Sequence, residues 1–295
     1  MIRTTALSKP ARVILDTDTF NEIDDQFALI WSLLAPEIDL RGVTAAPFFN
    51  SNSSGPADGM ERSYQEILKI LAMMHSQVPA FRGSAGFMSD PASPLESEAV
   101  DFIIREAALA RQENQHLYIA AIGAITNVAS ALLKAPHLAS EITVVWLGGQ
   151  PLDHPTQTEF NFRGDYNATR AFFASGVEIL QYPCARVVAA LSIRLPELRE
   201  RLAGCGEISD YLTGIFHNAI EGDESRPRVI WDICTVAFFA LPEVTKWSFP
   251  ARPVWNADIS FTPSDTGKFA IAESIAREEV FDSMFDRITA FAGVK

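Results

Sequence analysis

The chain of 295 residues is long enough to bury one large α/β core or two smaller ones, and its 48% apolar and 21% charged residues are ordinary for a globular protein. A formal charge of −13 and a pI near 4.8 exclude the basic footprint that a nucleic-acid partner requires. Three isolated cysteines, Cys184, Cys205 and Cys234, exclude a disulfide framework and a CxxC zinc site.

In chain order, the N-terminal stretch "MIRTTALSKPARVILDTD" has no continuous apolar segment of the signal-peptide kind. No run of about 18 apolar residues follows anywhere, so a cytoplasmic protein without a membrane partner is expected. "RVILD" (12–16) predicts a buried strand and "IDLRGVTAAP" (38–47) a second, followed by the polar loop 48–59. Helices are predicted from about Met60 to Met74 and over 100–110. "HLYIAAIG" (116–123) and "ITVVWLGG" (142–149) are strands, and the first feeds a helix at "ITNVASALLKAP". "GVEILQYPC" (176–184) closes another βα-type unit; several helices, a polar loop (221–228), the run "VIWDICTVAFFALP" (229–242) and a late hairpin strand (254–262) complete the chain. Alternating strands and helices without a linker or repeat predict one α/β domain over 1–295, with a mostly parallel central sheet flanked by helices. In such sheets ligands bind at the carboxyl ends of the strands.

The stretch "VILDTDTFNEIDDQFALIWSLL" places Asp16, Asp18, Asp24 and Asp25 within ten residues, where like charges repel and buried carboxylates need a partner. Thr19-x-x-Glu22 has capping-box spacing, which predicts a helix starting near Thr19 with Asp24 and Asp25 in its second turn, about 100° apart. Strand alternation predicts that Asp16 and Asp18 share one side, aimed at the helix start. Acids at a helix start would account for Asp24 or Asp25 alone. A hard divalent cation accounts for all four, and oxygen-only ligands suit calcium or magnesium.

These residues resemble two families. "ILDTDT" is similar to the DxDxT signature of haloacid-dehalogenase-type phosphatases, in which Asp16 would be the nucleophile, although no suitable lysine motif or late acidic pair accompanies it. The broader resemblance is to the nucleoside hydrolases of the inosine-uridine-preferring type, whose opening DxD, short spacer and DD match Asp16, Asp18, Asp24 and Asp25. The spacer "TFNEI" is two residues longer than is usual there. "AAIGAITNVASAL" (120–132), "WLGGQ" (146–150), "TEFNFRGD" (158–165) and "VIWDICTVAFF" (229–239) resemble that family's later motifs in the same order.

The resemblance implies a Rossmann-like fold and hydrolysis of the N-glycosidic bond of ribonucleosides by a calcium-bound water. It implies metal ligation by Asp18, Asp25, Asp232 and the backbone carbonyl of Ile122, with Asp18 also the general base. Asp24, Glu159 and Asn161 would bind ribose hydroxyls, Asn50 would help orient the water, and Asp16 would support the cluster from behind. Trp231 stands where many relatives carry a base-protonating histidine. It can stack on a base, which leaves His154 and His217 as candidate acids. Asp153 falls where relatives often have an asparagine for the 5′ hydroxyl, and 81–93 resembles their mobile loop over the pocket. Assembly as a homodimer or homotetramer is implied as well. A relative that binds a ribosyl ligand without turning it over is the alternative to an enzyme.

Overall fold

The computed structural model describes residues 10–293. In chain order the strands are β1 (Ala11–Thr17), β2 (Ile38–Ala45), β3 (Ala80–Phe81), β4 (Leu117–Ala121), β5 (Ile142–Leu147), β6 (Glu178–Tyr182), β7 (Ser192–Ile193) and β8 (Arg228–Val229). They are followed by β9 (Thr245–Ser248), β10 (Arg252–Trp255), β11 (Phe261–Ser264) and β12 (Phe269–Ile275). The helices are α1 (Asp25–Leu34), α2 (Pro56–Met73), α3 (Glu98–Gln112), α4 (Thr126–Lys134) and α5 (Phe160–Gly164). α6 (Tyr166–Ala174), α7 (Leu195–Arg201), α8 (Gly206–Ala219), α9 (Ile233–Ala240) and α10 (Arg277–Phe291) complete the set.

Eight strands form the central sheet in the order β3-β2-β1-β4-β5-β6-β12-β9, parallel except for β9, which pairs antiparallel with β12 at the edge. Side-chain alternation sends Val13, Leu15, Tyr118 and Val145 into one core with α1 and α9, and Ile14, Leu117, Ile119 and Val144 into the other with α3, α4 and α6. A sheet buried on both faces requires the near-continuous apolar runs that made β1, β4 and β5 readable. The strands step outward from β1 to β2 and β3 on one side and from β4 to β5 and β6 on the other. The gap between β1 and β4 at their carboxyl ends is therefore the topological switch point.

Three expectations change. α1 starts at Asp25, not near Thr19: the Asn21 amide bonds the Asp18 carbonyl at 2.7 Å, so 18–21 is a turn. Neither capping-box side chain is available, because Thr19 Oγ1 lies 2.8 Å from Thr17 Oγ1 and Glu22 pairs with Arg228. α2 begins at Pro56, whose fixed φ and missing N–H suit a first helical turn, rather than at Met60. The late hairpin is two strands, β10 with β11, and the chain then returns to the central sheet as β12, which the sequence pattern did not indicate.

Candidate active site

The carboxyl ends of β1 and β4, the loop after β5 and the start of α9 enclose a cavity of about 270 Å³, lined by Asp18, Asp24, Asp25, Asp232, Glu159 and Trp231 among others. β1 supplies Asp18 just beyond its last residue. Asp24 stands at the N-cap position of α1 and Asp25 opens the helix, while Asp232 stands at the N-cap position of α9 from the other end of the chain, neither Asp24 nor Asp232 capping through its side chain. Carboxylate oxygens of Asp24, Asp25 and Asp232 lie within 4.8 Å of one another, and all three residues are buried. Asp25 also accepts from the Thr17 hydroxyl, and Asp24 Oδ2 accepts from the Trp231 amide at 3.1 Å. Asp18 is 1% exposed, and neither of its oxygens has a hydrogen-bond partner among the described residues.

Burial, followed by the charges of its neighbours Asp25 and Asp24, holds the Asp18 carboxyl well above the usual carboxylate range. Burial does the same to Asp24 and Asp232, and it raises Asp25 to about 6 against its bonds from Thr17 and Asp232. The protein alone thus disfavours four ionised carboxylates here. A bound proton or a cation offsets the repulsion. Calcium–oxygen distances are about 2.3–2.6 Å, so oxygens across one ion stand up to about 5 Å apart, and the spacing of Asp24, Asp25 and Asp232 fits; Asp18 borders that trio without belonging to it.

Asp16 does not join it. β1 alternates only as far as Thr17, and the turn at Asp18 breaks the pattern, so Asp16 and Asp18 do not share a side. Asp16 Oδ1 accepts from Thr44 Oγ1 at 2.6 Å and Asn127 Nδ2 at 2.8 Å on the α4 side of the sheet, and burial raises its pKa to about 6.

The opposite wall is built after β5. Gly149 adopts φ +73, where a Cβ would come within 2.8 Å of Gln181 Nε2, so the strand can turn there only at glycine. Its amide donates to Glu159 Oε2 at 2.7 Å. Glu159 caps α5 through the Asn161 and Phe162 amides at 2.9 and 2.8 Å, and burial raises its pKa despite these bonds. Asn161 Nδ2 donates to the carbonyls of Ile122 and Leu147 at 3.0 and 3.1 Å, which ties this wall to the end of β4. Gly123 follows Ile122, and a Cβ on it would stand 3.1 Å from Asp18 Cγ. Bare backbone is what lets the Asp18 carboxylate lie against the end of β4.

Of the residues singled out in the sequence, Asp18, Asp24, Asp25, Ile122, Glu159, Asn161, Trp231 and Asp232 meet in this cavity. Asn50 does not line it. Its side-chain amide donates to Asn21 Oδ1 at 2.5 Å, and it borders an adjoining cleft. Asp153 pairs with Arg186 on another surface, His154 bonds the Thr156 carbonyl at 2.7 Å beside a separate groove, and His217 is exposed on α8. No histidine lines the cavity among the described residues. The expected loop over the pocket, 81–93, contributes nothing to the cavity lining. It is fastened to α4 and α6 through Ser84 to Asn127, the Met88 amide to Asp165 and Asn167 to the Met88 carbonyl. Asn21, Gln150, Phe160 and Cys184 also line the cavity and had not been anticipated. Position beside matched motifs, at Gln150 after Gly-Gly and Phe160 inside EFN, was the available signal.

The profile of the inosine-uridine preferring nucleoside hydrolases matches residues 13–273. No curated protein sequence matches the chain. Among solved structures, a purine-preferring ribonucleoside hydrolase from Gardnerella vaginalis superposes with a TM-score of 0.77 at 21% identity, covering 95% of this chain and 99% of that one. An inosine-guanosine nucleoside hydrolase gives 0.75 at 15% identity, covering 94% and 98%. An inosine-uridine preferring nucleoside hydrolase from Bacillus anthracis gives 0.69 at 17%, covering 94% and 99%. The fold is theirs, the profile spans nearly all of the sequence, and the chain belongs to the inosine-uridine preferring nucleoside hydrolase family, enzymes that hydrolyse the N-glycosyl bond of ribonucleosides.

Proposed function

We propose that the carboxylate cavity seats the ribose of a ribonucleoside beside one calcium ion. Asp18 carries the reading: its two buried oxygens have no partner among the described residues, although they stand beside three more carboxylates. An unpaired buried carboxylate is costly, and a hard cation removes that cost. Asp18, Asp25, Asp232 and the Ile122 carbonyl would hold the ion, and Asp24, whose oxygens group with those of Asp25 and Asp232, joins them as a candidate. The bound cation would supply a water of lowered pKa and a seat for the 2′ and 3′ hydroxyls.

The chain's own groups do the rest. Asp18 takes the proton of the attacking water as general base. The surrounding carboxylates stabilise positive charge as C1′ becomes oxocarbenium-like. Glu159 is locked by three backbone amides, so its remaining lone pairs accept from a ribose hydroxyl without reorganisation. Asn161 spends its amide nitrogen on two carbonyls, leaving its oxygen as an acceptor for substrate. Asp24 would take another hydroxyl, Trp231 would stack on the base, and Asn50 would act by holding Asn21. The phosphatase alternative loses its nucleophile, because Asp16 faces Thr44 and Asn127 instead of the cavity.

We also carry forward assembly as a homodimer or homotetramer acting in cytoplasmic purine or pyrimidine salvage, with the assembly readable by sedimentation. The test of the activity is release of reducing sugar from a panel of ribonucleosides, abolished by exhaustive chelation and restored by calcium. Full activity in protein free of metal by elemental analysis would overturn the calcium assignment.

A further inference from the structure

Breaking an N-glycosyl bond leaves an electron pair on the departing base, and a cavity walled by carboxylates repels that charge. Its lining offers no histidine, lysine or arginine among the described residues. A second cleft, of about 630 Å³, adjoins it and shares two lining residues, Asn21 and Glu22. With the ribose in the smaller cavity, as proposed above, the base would extend past Asn21 and Glu22 toward the larger cleft. Two cations line that cleft among the described residues. Lys69 is bonded to Glu66 at 3.0 Å and set over the Tyr211 ring at 4.5 Å, and none of these three lines the carboxylate cavity. Arg228 is held at the junction by its ion pair with Glu22, the residue common to both cavities.

We propose that Arg228 stabilises the departing base, standing in for the acid that this chain lacks at Trp231. The C1′–N bond breaks and its electron pair moves to the base nitrogen. The guanidinium, always charged and rich in donors, hydrogen-bonds the resulting anion without surrendering a proton. Water adds to C1′, its proton goes to Asp18 and then to solvent, and the released base takes a proton from water. Atoms and charge therefore balance with water as the sole co-substrate. The Glu22 carboxylate positions Arg228 and keeps it from collapsing onto the aspartates. Glu22 itself belongs to the five-residue spacer between the two aspartate pairs, so the longer spacer and the missing histidine become one adaptation. The proposal rests on the ribose lying in the carboxylate cavity.

The experiment compares inosine and uridine with p-nitrophenyl β-D-ribofuranoside, whose nitrophenolate leaves unaided, in wild type, Arg228→Ala, Arg228→Gln and Arg228→Lys. Loss of one preorganised donor is expected to lower kcat on both nucleosides by about 10²-fold or more while changing kcat on the nitrophenyl riboside by no more than a few-fold. Arg228→Lys should recover part of the nucleoside rate. A merely structural role would depress both substrate types together, and that result, or unchanged nucleoside turnover in both neutral variants, overturns the proposal. If wild type fails to cleave the nitrophenyl riboside as well as the nucleosides, the seating of the ribose is what has failed. Melting temperatures of the variants identify any that fail to fold, and the remaining neutral variant then decides.

Discussion

Asp16 and Asp18 leave the same strand end for different surroundings: Asp16 Oδ1 accepts hydrogen bonds from Thr44 and Asn127, whereas both Asp18 oxygens are buried without a partner among the described residues. The two aspartates therefore separate stability from turnover. Asp18→Asn should lower kcat by about 10²–10⁴-fold, the usual worth of a general base, with little change of melting temperature when wild type and variant are compared free of metal. Asp16→Asn can keep its oxygen on Thr44 and Asn127 but puts an NH2 at the buried Oδ2 position, which has no partner among the described residues, and should cost about 1–3 kcal/mol of stability. Its kcat should fall less than that of Asp18→Asn. Chemical denaturation and steady-state kinetics on the pair check this, and a near-wild-type kcat for Asp18→Asn would move the base to another residue.

Chelation should act on stability as well as activity. A ligand bound only by the folded protein stabilises it by about 2.7 kcal/mol at a hundredfold excess over its Kd. Scanning calorimetry should therefore show Tm falling when metal is stripped and returning with calcium. Magnesium should restore it less well, because it demands near-octahedral geometry that a cluster of side-chain carboxylates with one backbone carbonyl does not impose. Equal Tm in stripped and calcium-loaded protein would remove the cation from this cluster.

In metal-free protein Asp25 of this cluster and Asp16 behind it set the pH dependence. Asp16 and Asp25 ionise at about 6 in the fold against 3.8 ordinarily, so the folded state holds protons that the unfolded chain releases. Their contribution is fully present below about pH 4 and is lost as pH rises through 6, so stability should fall across that window. Surface acids such as Asp58 and Asp90 are shifted the other way, by a backbone amide and by a serine hydroxyl respectively, and act below it. Thermal melts of stripped protein from pH 4 to pH 7 should decline, and calcium should remove the part due to Asp25 by replacing its proton, leaving that of Asp16. A rising curve for stripped protein would contradict the environment described for Asp16 and Asp25.

The sugar preference is the sharpest kinetic test. Asp24, Glu159 and Asn161 converge on the proposed diol seat, and a site organised around a substrate hydroxyl rejects the analogue lacking it. Water can refill the vacated position and soften the penalty, so kcat/KM for a 2′-deoxynucleoside should be at least about 10²-fold below that of its ribonucleoside. Using one base in both sugars cancels the leaving group. Equal rates would mean that the aspartates serve something other than a ribose diol.

Much of this was legible in the sequence because burial on both faces forces long apolar runs on β1, β4 and β5, and because the polar motifs fall where those runs stop. Local rules failed where tertiary contacts outbid them. Thr19 and Glu22 spell a capping box, yet Thr17 and Arg228 occupy those side chains and the helix waits for Asp25. Strand alternation misdirected Asp16, since it holds only while the strand continues. β12 escaped notice because exposed Glu273 and Ser274 interrupt its apolar pattern. Asn50 and the loop 81–93 match motifs by position, but their hydrogen bonds to Asn21, Asn127 and Asp165 place them outside the cavity.

The bond from the Trp231 amide to Asp24 joins residues 207 apart in the chain. An ion shared by Asp25 and Asp232 would close a loop of the same size and act as a reversible crosslink comparable in reach to a long-range disulfide. The entropy of closing a loop grows only logarithmically, by about 0.6 kcal/mol per doubling, so one site can fasten the first helix to the ninth at little more cost than a short loop would incur. During synthesis the first two aspartate pairs emerge long before Asp232, and the cluster stays incomplete until α9 follows. Metal capture would then be a late event of folding, because until α9 follows the chain holds aspartates that repel one another.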